Sequence, residues 1–180
     1  MQYGLDNEDL ALEKYKKQVP AAQVRKCGLF ISTENGELAA SPDAISTING
    51  EKRVVEIKSL SASRHMTPWE AVKFKQKQNS FALHEVTVPC KGSKKMITHI
   101  RLKKTHRYYN QVQMQMAITG AKMCHFVVFT NKNCNVLIVP VPFNQTFWLT
   151  MKDKLLDYHS SCIVPALVQN LVHSKKNVDQ

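Results

Sequence analysis

The stretch Ala40-Ser41-Pro42-Asp43-Ala44-Ile45-Ser46-Thr47-Ile48-Asn49-Gly50-Glu51-Lys52-Arg53-Val54-Val55-Glu56-Ile57-Lys58-Ser59 decides the fold. Its second half predicts a β-strand: Val54, Val55 and Ile57 are β-branched, and Asn49-Gly50 just before them suits a tight hairpin turn. Side chains two apart on a strand share a face, so Glu56 and Lys58 project together while Ile57 points the other way into a core. Asp43 follows a proline and stands thirteen positions before Glu56. A hairpin turning at Asn49-Gly50 folds its carboxylate back towards the Glu56 end of the strand. Two readings of the Glu56/Lys58 pair are open at this point. One is a surface ion pair on an edge strand; the other is part of a site that Asp43 completes.

The second reading has definite chemistry. Asp43 and Glu56, with the backbone carbonyl of Ile57, are hard oxygen donors of the kind Mg²⁺ (or Mn²⁺) takes while keeping several waters. Such an ion polarises a phosphoryl oxygen and makes water nucleophilic near neutral pH, and Lys58 can hold or deprotonate that water and offset developing charge.

Length and charge narrow the setting. The 180 residues are enough for one domain with a sizeable core, expected over 1–173, with a flexible polar tail over 174–180. The net charge of +11 is unevenly placed. Residues 73–107 carry ten Lys/Arg against one Asp/Glu, whereas residues 1–72 carry nine against ten. A basic excess gathered in one central segment is the pattern of a polyanion-binding surface, and a merely soluble basic protein is the alternative. The five cysteines (Cys27, Cys90, Cys124, Cys134, Cys162) are scattered and form no Cys-x-x-Cys. That argues against a disulfide framework or a zinc site and fits a reducing, intracellular compartment, nuclear if the host is eukaryotic. No signal peptide or apolar spanning run is visible, so no membrane partner is expected.

Along the chain, Asp6 to Lys17 reads as a helix with Leu5, Leu12, Tyr15 and Val19 on one stripe. Glu8 falls on that stripe, as a first-turn residue complementing the helix dipole or as a carboxylate aimed at the site. Cys27–Ser32 and Leu38–Ala40 predict two strands joined at Asn35-Gly36. Thr67-Pro68-Trp69-Glu70 is a capping box opening a helix to about Gln78, with Lys73, Lys75 and Lys77 along it. Glu85–Pro89 and Met96–Leu102 predict a hairpin within a basic insertion spanning about 81–104, carrying Lys94, Lys95, Lys103 and Lys104. Tyr108 to Thr119 is a helix closed by Gly120, with Tyr109, Val112 and Met116 facing the core and Tyr108, Gln111 and Gln115 on a neighbouring face. Its amides are either solvated or set to orient water or touch phosphate. Strands His125–Thr130 and Val136–Val139 follow, then helices Thr146–Tyr158 and Ile163–Val172, with Phe147, Trp148, Leu155 and Leu156 expected in the core.

Taken together, Pro42-Asp43 and Glu56-Ile57-Lys58 resemble the signature of the PD-(D/E)xK nuclease superfamily. The order of elements is similar to its lambda-exonuclease and YqaJ-type branch over most of residues 4–139. Gly4-Leu-Asp-Asn-Glu8, with Tyr15 downstream, matches the branch's Gly-x-x-x-Glu helix, and Tyr108-Tyr-Asn-Gln111-Val-Gln113 its Tyr-x-x-Gln-x-Gln helix. The resemblance implies an α/β, restriction-endonuclease-like core, a mixed central sheet flanked by helices, with a basic hairpin insertion. It implies a metal-dependent deoxyribonuclease, an exonuclease on duplex DNA in viral or mobile-element recombination, repair or replication. Glu8, Asp43 and Glu56 would ligate metal, with Lys58 catalytic and Gln111 supporting the site. Arg64, Lys73, Lys75, Lys77, Lys94, Lys95, Lys103, Lys104, Arg107 and Tyr108 are the expected DNA contacts. A catalytically inactive nucleic-acid-binding module or an endonuclease of the same fold are the alternatives, and a homo-oligomer or a recombination partner protein are further partners the resemblance allows.

Overall fold

The structure, a computed structural model, describes residues 2–77, 81–90, 95–132 and 135–176, with side chains from residue 7 to residue 170. Element order is α1 (Gln2–Gln18), β1 (Gln23–Lys26), β2 (Phe30–Ile31), β3 (Ala39–Ala40), β4 (Ala44–Ile48), β5 (Glu51–Ser59), α2 (Pro68–Lys77), β6 (Leu83–Pro89), β7 (Met96–Leu102), α3 (Arg107–Thr119), β8 (Met123–Phe129), β9 (Val136–Pro142), α4 (Gln145–Tyr158) and α5 (Val164–Lys176). A π-helical turn, His159–Ile163, joins the last two helices.

Five strands form one mixed sheet in the order β1-β4-β5-β8-β9. The β4–β5 hairpin turns at Asn49 (φ 52°) and Gly50 (φ 80°), both left-handed, as a two-residue turn matched to strand twist requires. This turn sets the register. Ala44 pairs with Val55, which puts Asp43 beside Glu56. β5 is central and parallel to β8, the connection between them running through α2, the β6–β7 hairpin and α3.

Alternation along β5 divides the core in two. Val54, with Phe126 and Val128 of β8, packs under α2 and α3 against Val72, Val112 and Met116. Val55 and Ile57, with Val127 and Phe129, pack under α1 against Ala11, Leu12 and Tyr15. Glu56 shares the α3 face with Val54 and is only 1% exposed. On the α1 face the Tyr15 hydroxyl lies 2.7 Å from His125 Nδ1 and donates to Ser46 Oγ at 3.1 Å, so the one phenol in that core is satisfied.

Local expectations meet the structure at several points. Thr67 and Glu70 form the reciprocal capping box (2.8 and 3.3 Å), and Gly120 closes α3 with φ 73°. His106 caps the start of α3, its Nδ1 accepting the Tyr108 N–H at 3.2 Å. The hairpin β6–β7 pairs from Leu83↔Leu102 to Pro89↔Met96, two residues longer in its first strand than expected.

Several readings need correction. β1 was not anticipated: Gln-Val-Arg-Lys is largely exposed at the sheet edge, so burial leaves no alternation to read. Phe147, Trp148, Leu155 and Leu156 are half-buried rather than core, since α4 has no fully buried residue, although Phe147 stacks edge-on against Tyr109 at 4.9 Å. Last, α1 begins at Gln2, so Glu8 sits in its second turn and the first-turn dipole role falls away. α5 continues through Lys176, past the start of the expected tail at Ser174, and residues 177–180 lie outside the described residues.

Candidate active site

The site is built where β4 begins and β5 nears its end. Asp43 Oδ2 accepts the Ile57 N–H at 2.6 Å, a bond that exists because the hairpin register aligns the two strands there. Beside it, the Glu56 carboxylate is enclosed by three donors. Lys58 Nζ forms an ion pair with Oε1 from the same strand face, Gln111 Nε2 donates to Oε1 at 2.7 Å, and Gln115 Nε2 donates to Oε2 at 2.8 Å. Gln111 and Gln115 are one helical turn apart on α3, so one face of the helix presents both amides to a single carboxylate. Tyr108, a turn earlier, lays its ring 4.7 Å from the Lys58 ammonium. Arg107 lies 5.4 Å from the same ring. Packing of Tyr108 on Phe126 (5.8 Å) holds the ring over β8.

Electrostatics follow from this crowding. Burial, and then the Glu56 carboxylate nearby, push the Asp43 carboxyl up to about 7, against the Ile57 N–H and Lys58, which pull it down. Glu8 adds a smaller upward push, which brings it within electrostatic range of Asp43. Yet Glu8 does not close on the two carboxylates. Lys26 of β1 stands 3.5 Å from Glu8 Oε1 and also pairs with Asp9. Among the described residues no three His, Cys, Asp or Glu side chains converge closely enough to hold a metal ion.

The donor chemistry nonetheless suits a hard cation. Asp43 and Glu56 are two adjacent carboxylates, one of whose pKa values is raised by burial and by the other's charge, and Lys58 is the counter-charge beside them, while Lys26 pairs with Glu8. The Ile57 N–H is committed to Asp43. Among the described residues no zinc-type cluster competes: Cys124 is fully buried and its thiol is pushed up by burial, while Cys27 donates to the Pro42 carbonyl at 3.4 Å.

Among the expected DNA contacts, Tyr108 meets Lys58 of the carboxylate cluster and Arg107 lies over the Tyr108 ring. Lys103 and Lys104, with Arg101, Gln76 and His84, line a cavity of about 690 Å³ between α2 and the β6–β7 hairpin. Lys73 pairs with Glu85 at 3.5 Å and lies over the Trp69 ring at 5.4 Å. Lys77 is exposed at the end of α2, Lys75 is half-buried, and Arg64 is exposed with its Nε donating to His65 at 3.2 Å. Lys95 is exposed just before β7, and Lys94 lies outside the described residues.

Two residues escaped the sequence reading of the site. Gln115 was placed on the correct helix face but given no partner, and its step of four from Gln111 was the available signal. Lys26 carried no signal, because an unanticipated strand delivers it. Gln113, part of the motif, proves to be a tie within the fold: it donates to Pro142 O at 2.9 Å and accepts from Asn144 N at 2.7 Å.

Solved structures resemble the chain, two of an alkaline exonuclease among them. The alkaline exonuclease LHK-Exo from Laribacter hongkongensis aligns with a TM-score of 0.66 at 17% identity, over 99% of this chain and 75% of that one. The same enzyme in complex with dAMP aligns with a TM-score of 0.66 at 18% identity, over 99% and 74%. At such identities the likeness is one of fold. No curated protein matches the sequence. The sequence pattern of the YqaJ-like viral recombinase domain does match, across residues 1–122, which takes in α1, the Asp43 and Glu56-Ile57-Lys58 strands and the Gln111 helix, and the chain belongs to that family.

Proposed function

We propose that the chain is a DNA exonuclease acting in recombination, hydrolysing phosphodiester bonds with the help of Mg²⁺ or Mn²⁺. The observation that carries this reading is the meeting of Asp43, Glu56 and Lys58 at one end of β5, with Gln111 bonded to Glu56 and Tyr108 over Lys58. Family membership and the fold shared with an alkaline exonuclease support it.

Asp43 and Glu56 would hold the cation, with the Ile57 carbonyl and with Glu8 once it leaves Lys26. A bound divalent cation supplies Lewis-acid polarisation of the phosphoryl group and lowers the cost of making water nucleophilic. Lys58 supplies the positive charge nearest the developing negative charge on phosphorus, and its proton can move to or from water at Nζ. Gln111 keeps the Glu56 carboxylate from rotating towards Lys58 alone. Tyr108 limits the directions the ammonium can take. DNA would be held by Arg64, Lys73, Lys75, Lys77, Lys94, Lys95, Lys103, Lys104 and Arg107, the phosphate contacts that position a strand without reading its sequence.

The test is digestion of linear and circular duplex DNA, labelled at either end, with and without Mg²⁺. Metal-dependent loss of label from linear DNA, with the circle intact, is expected. Cutting of the circle would reassign the enzyme as an endonuclease, and no cutting of either would leave a binding module.

A further inference from the structure

We infer that Gln115 is a positioning residue that sets the metal affinity of the site; the inference rests on the nuclease reading above. Gln115 is 2% exposed on α3, next in the chain to the buried Met116 and one turn after the buried Val112. A position so enclosed would ordinarily take an apolar side chain, and Met116 is its neighbour. The amide stays because of what its nitrogen reaches. Nε2 donates to Glu56 Oε2 at 2.8 Å and also lies 3.4 Å from the carbonyl oxygen of Ser41, two residues before Asp43. One nitrogen therefore touches both arms of the carboxylate pair: the Glu56 side chain directly, and the segment that carries Asp43.

The other end of the same amide has no partner. Gln115 Oε1 is buried and accepts no hydrogen bond among the described residues. Burying an unsatisfied carbonyl oxygen opposes folding, so fold stability alone does not account for a glutamine here. The neighbouring Gln113 makes the contrast: equally buried, it uses both its nitrogen and its oxygen, and both bonds go to the β9–α4 connection.

Geometry assigns the two glutamines at the site different tasks. Gln111 shares Oε1 of Glu56 with Lys58, so a rearrangement of Lys58 leaves that oxygen still bonded. Gln115 alone holds Oε2. With an amide on each oxygen, the plane of the carboxylate is fixed before any cation arrives, and the cation then meets a preset donor rather than one that must be ordered on binding.

The experiment is Gln115→Met, which fills the volume and keeps helix propensity, with Gln113→Met as the comparison. Half-saturating Mn²⁺ would be measured by calorimetry and from the metal dependence of cleavage. Loss of an outer-shell partner of a metal ligand costs about 10–100-fold in metal affinity. A shift of that size in half-saturating Mn²⁺ is expected for Gln115→Met, with the rate at saturating metal within a few-fold of wild type. Gln113→Met should lower Tm and leave half-saturation unmoved. Should Gln115→Met fail to fold, Gln115→Asn, which keeps the amide but draws it back by one methylene, should show a smaller shift in the same direction. Unchanged half-saturation in the folded variant, or a rate loss equal at every metal concentration, overturns the inference. A wild-type protein that neither binds Mn²⁺ nor cuts DNA overturns the nuclease reading instead.

Discussion

Glu56 and Lys58 are ion-paired along one face of β5, with the carboxylate 2% and the ammonium side chain 21% exposed. A carboxylate taken so far out of water needs its partners, and removing one member of a buried pair usually costs about 3–5 kcal/mol. Here the cost of Lys58→Met should fall below that range, because Gln111 and Gln115 still donate to Glu56. The metal-free variant should melt lower than wild type, and Mg²⁺ should restore most of the difference by replacing the lost charge. Cleavage should drop by roughly two to four powers of ten, the scale of a positioned proton-transfer or electrostatic group. Metal titration and single-turnover cleavage of the variant check both halves. Wild-type cutting would make the pair structural.

Asp43 gives a pH prediction with a definite sign. Its carboxyl is raised from 3.8 to about 7 in the folded, metal-free chain, so the folded state holds this proton more tightly than the unfolded state. Its contribution to stability is complete below the ordinary value and is lost as pH rises through about 7. Metal-free protein should therefore lose stability between pH 4 and 8, and Asp43→Asn, which cannot ionise, should flatten that slope. At pH 8 the variant should be as stable as wild type or more so, because a buried charge and its repulsion from Glu56 are both gone. Mg²⁺ affinity and cleavage should both collapse. Chemical denaturation across pH without metal, and calorimetry with it, read the two effects apart.

Lys26 competes for Glu8. The ammonium lies 3.5 Å from Glu8 and is half exposed, so the pair itself contributes little to stability. Its consequence is for metal binding. Lys26→Met should leave stability within about 1 kcal/mol of wild type and lower half-saturating Mg²⁺, since a nearby positive charge is removed and Glu8 is released. Glu8→Gln should raise half-saturating Mg²⁺, by less than Asp43→Asn. If neither variant moves the metal titration, Glu8 belongs to the α1–β1 contact alone.

What could be read beforehand was local. Asn49-Gly50 specifies one hairpin register, and that register brings Asp43 to the Ile57 N–H without any further information. The Thr67/Glu70 box and Gly120 likewise act within a few residues. Gln115 shows where such reading stops. Helical spacing puts it beside Gln111, but its partner Glu56 is 59 residues away, and only the β5–β8 crossover delivers α3 onto that strand. Lys26 is harder still, because it rides on an edge strand with almost no buried face. The core expectation for α4 failed for the opposite reason: apolar composition predicts burial only when something packs over it, and Phe147, Trp148, Leu155 and Leu156 end half-buried.

Gln111→Ala separates positioning from binding. Gln111 is half-buried and shares Glu56 Oε1 with Lys58, so losing it leaves the lysine as the only donor to that oxygen. Alanine suits a helix interior, so folding should change little. Turnover should fall by more than DNA affinity measured with Ca²⁺, whose looser coordination supports binding without efficient cutting. Equal losses in both would make Gln111 a plain phosphate contact.

DNA binding itself should be governed by the basic segment, and its salt dependence tests this without reference to cleavage. Arg101, Lys103 and Lys104 flank one cavity, and Lys95 is exposed on the same hairpin. Each Lys or Arg that meets a phosphate releases condensed counterions, so log affinity falls with log salt by about 0.9 per contact on duplex DNA. Five such contacts give a slope of roughly −4 to −5. Changing Lys94, Lys95, Lys103 and Lys104 together to Gln should flatten the slope by about three to four. Mn²⁺ affinity should stay as it was, because Asp43 and Glu56 are held by Ile57, Lys58, Gln111 and Gln115, which the substitutions leave in place. Fluorescence anisotropy with Ca²⁺, across a salt series, measures the slope directly. An unchanged slope would remove the hairpin from the DNA path and shift the electrostatic contacts to Arg64, Lys73 and Lys77, where the same neutralisation should then flatten it.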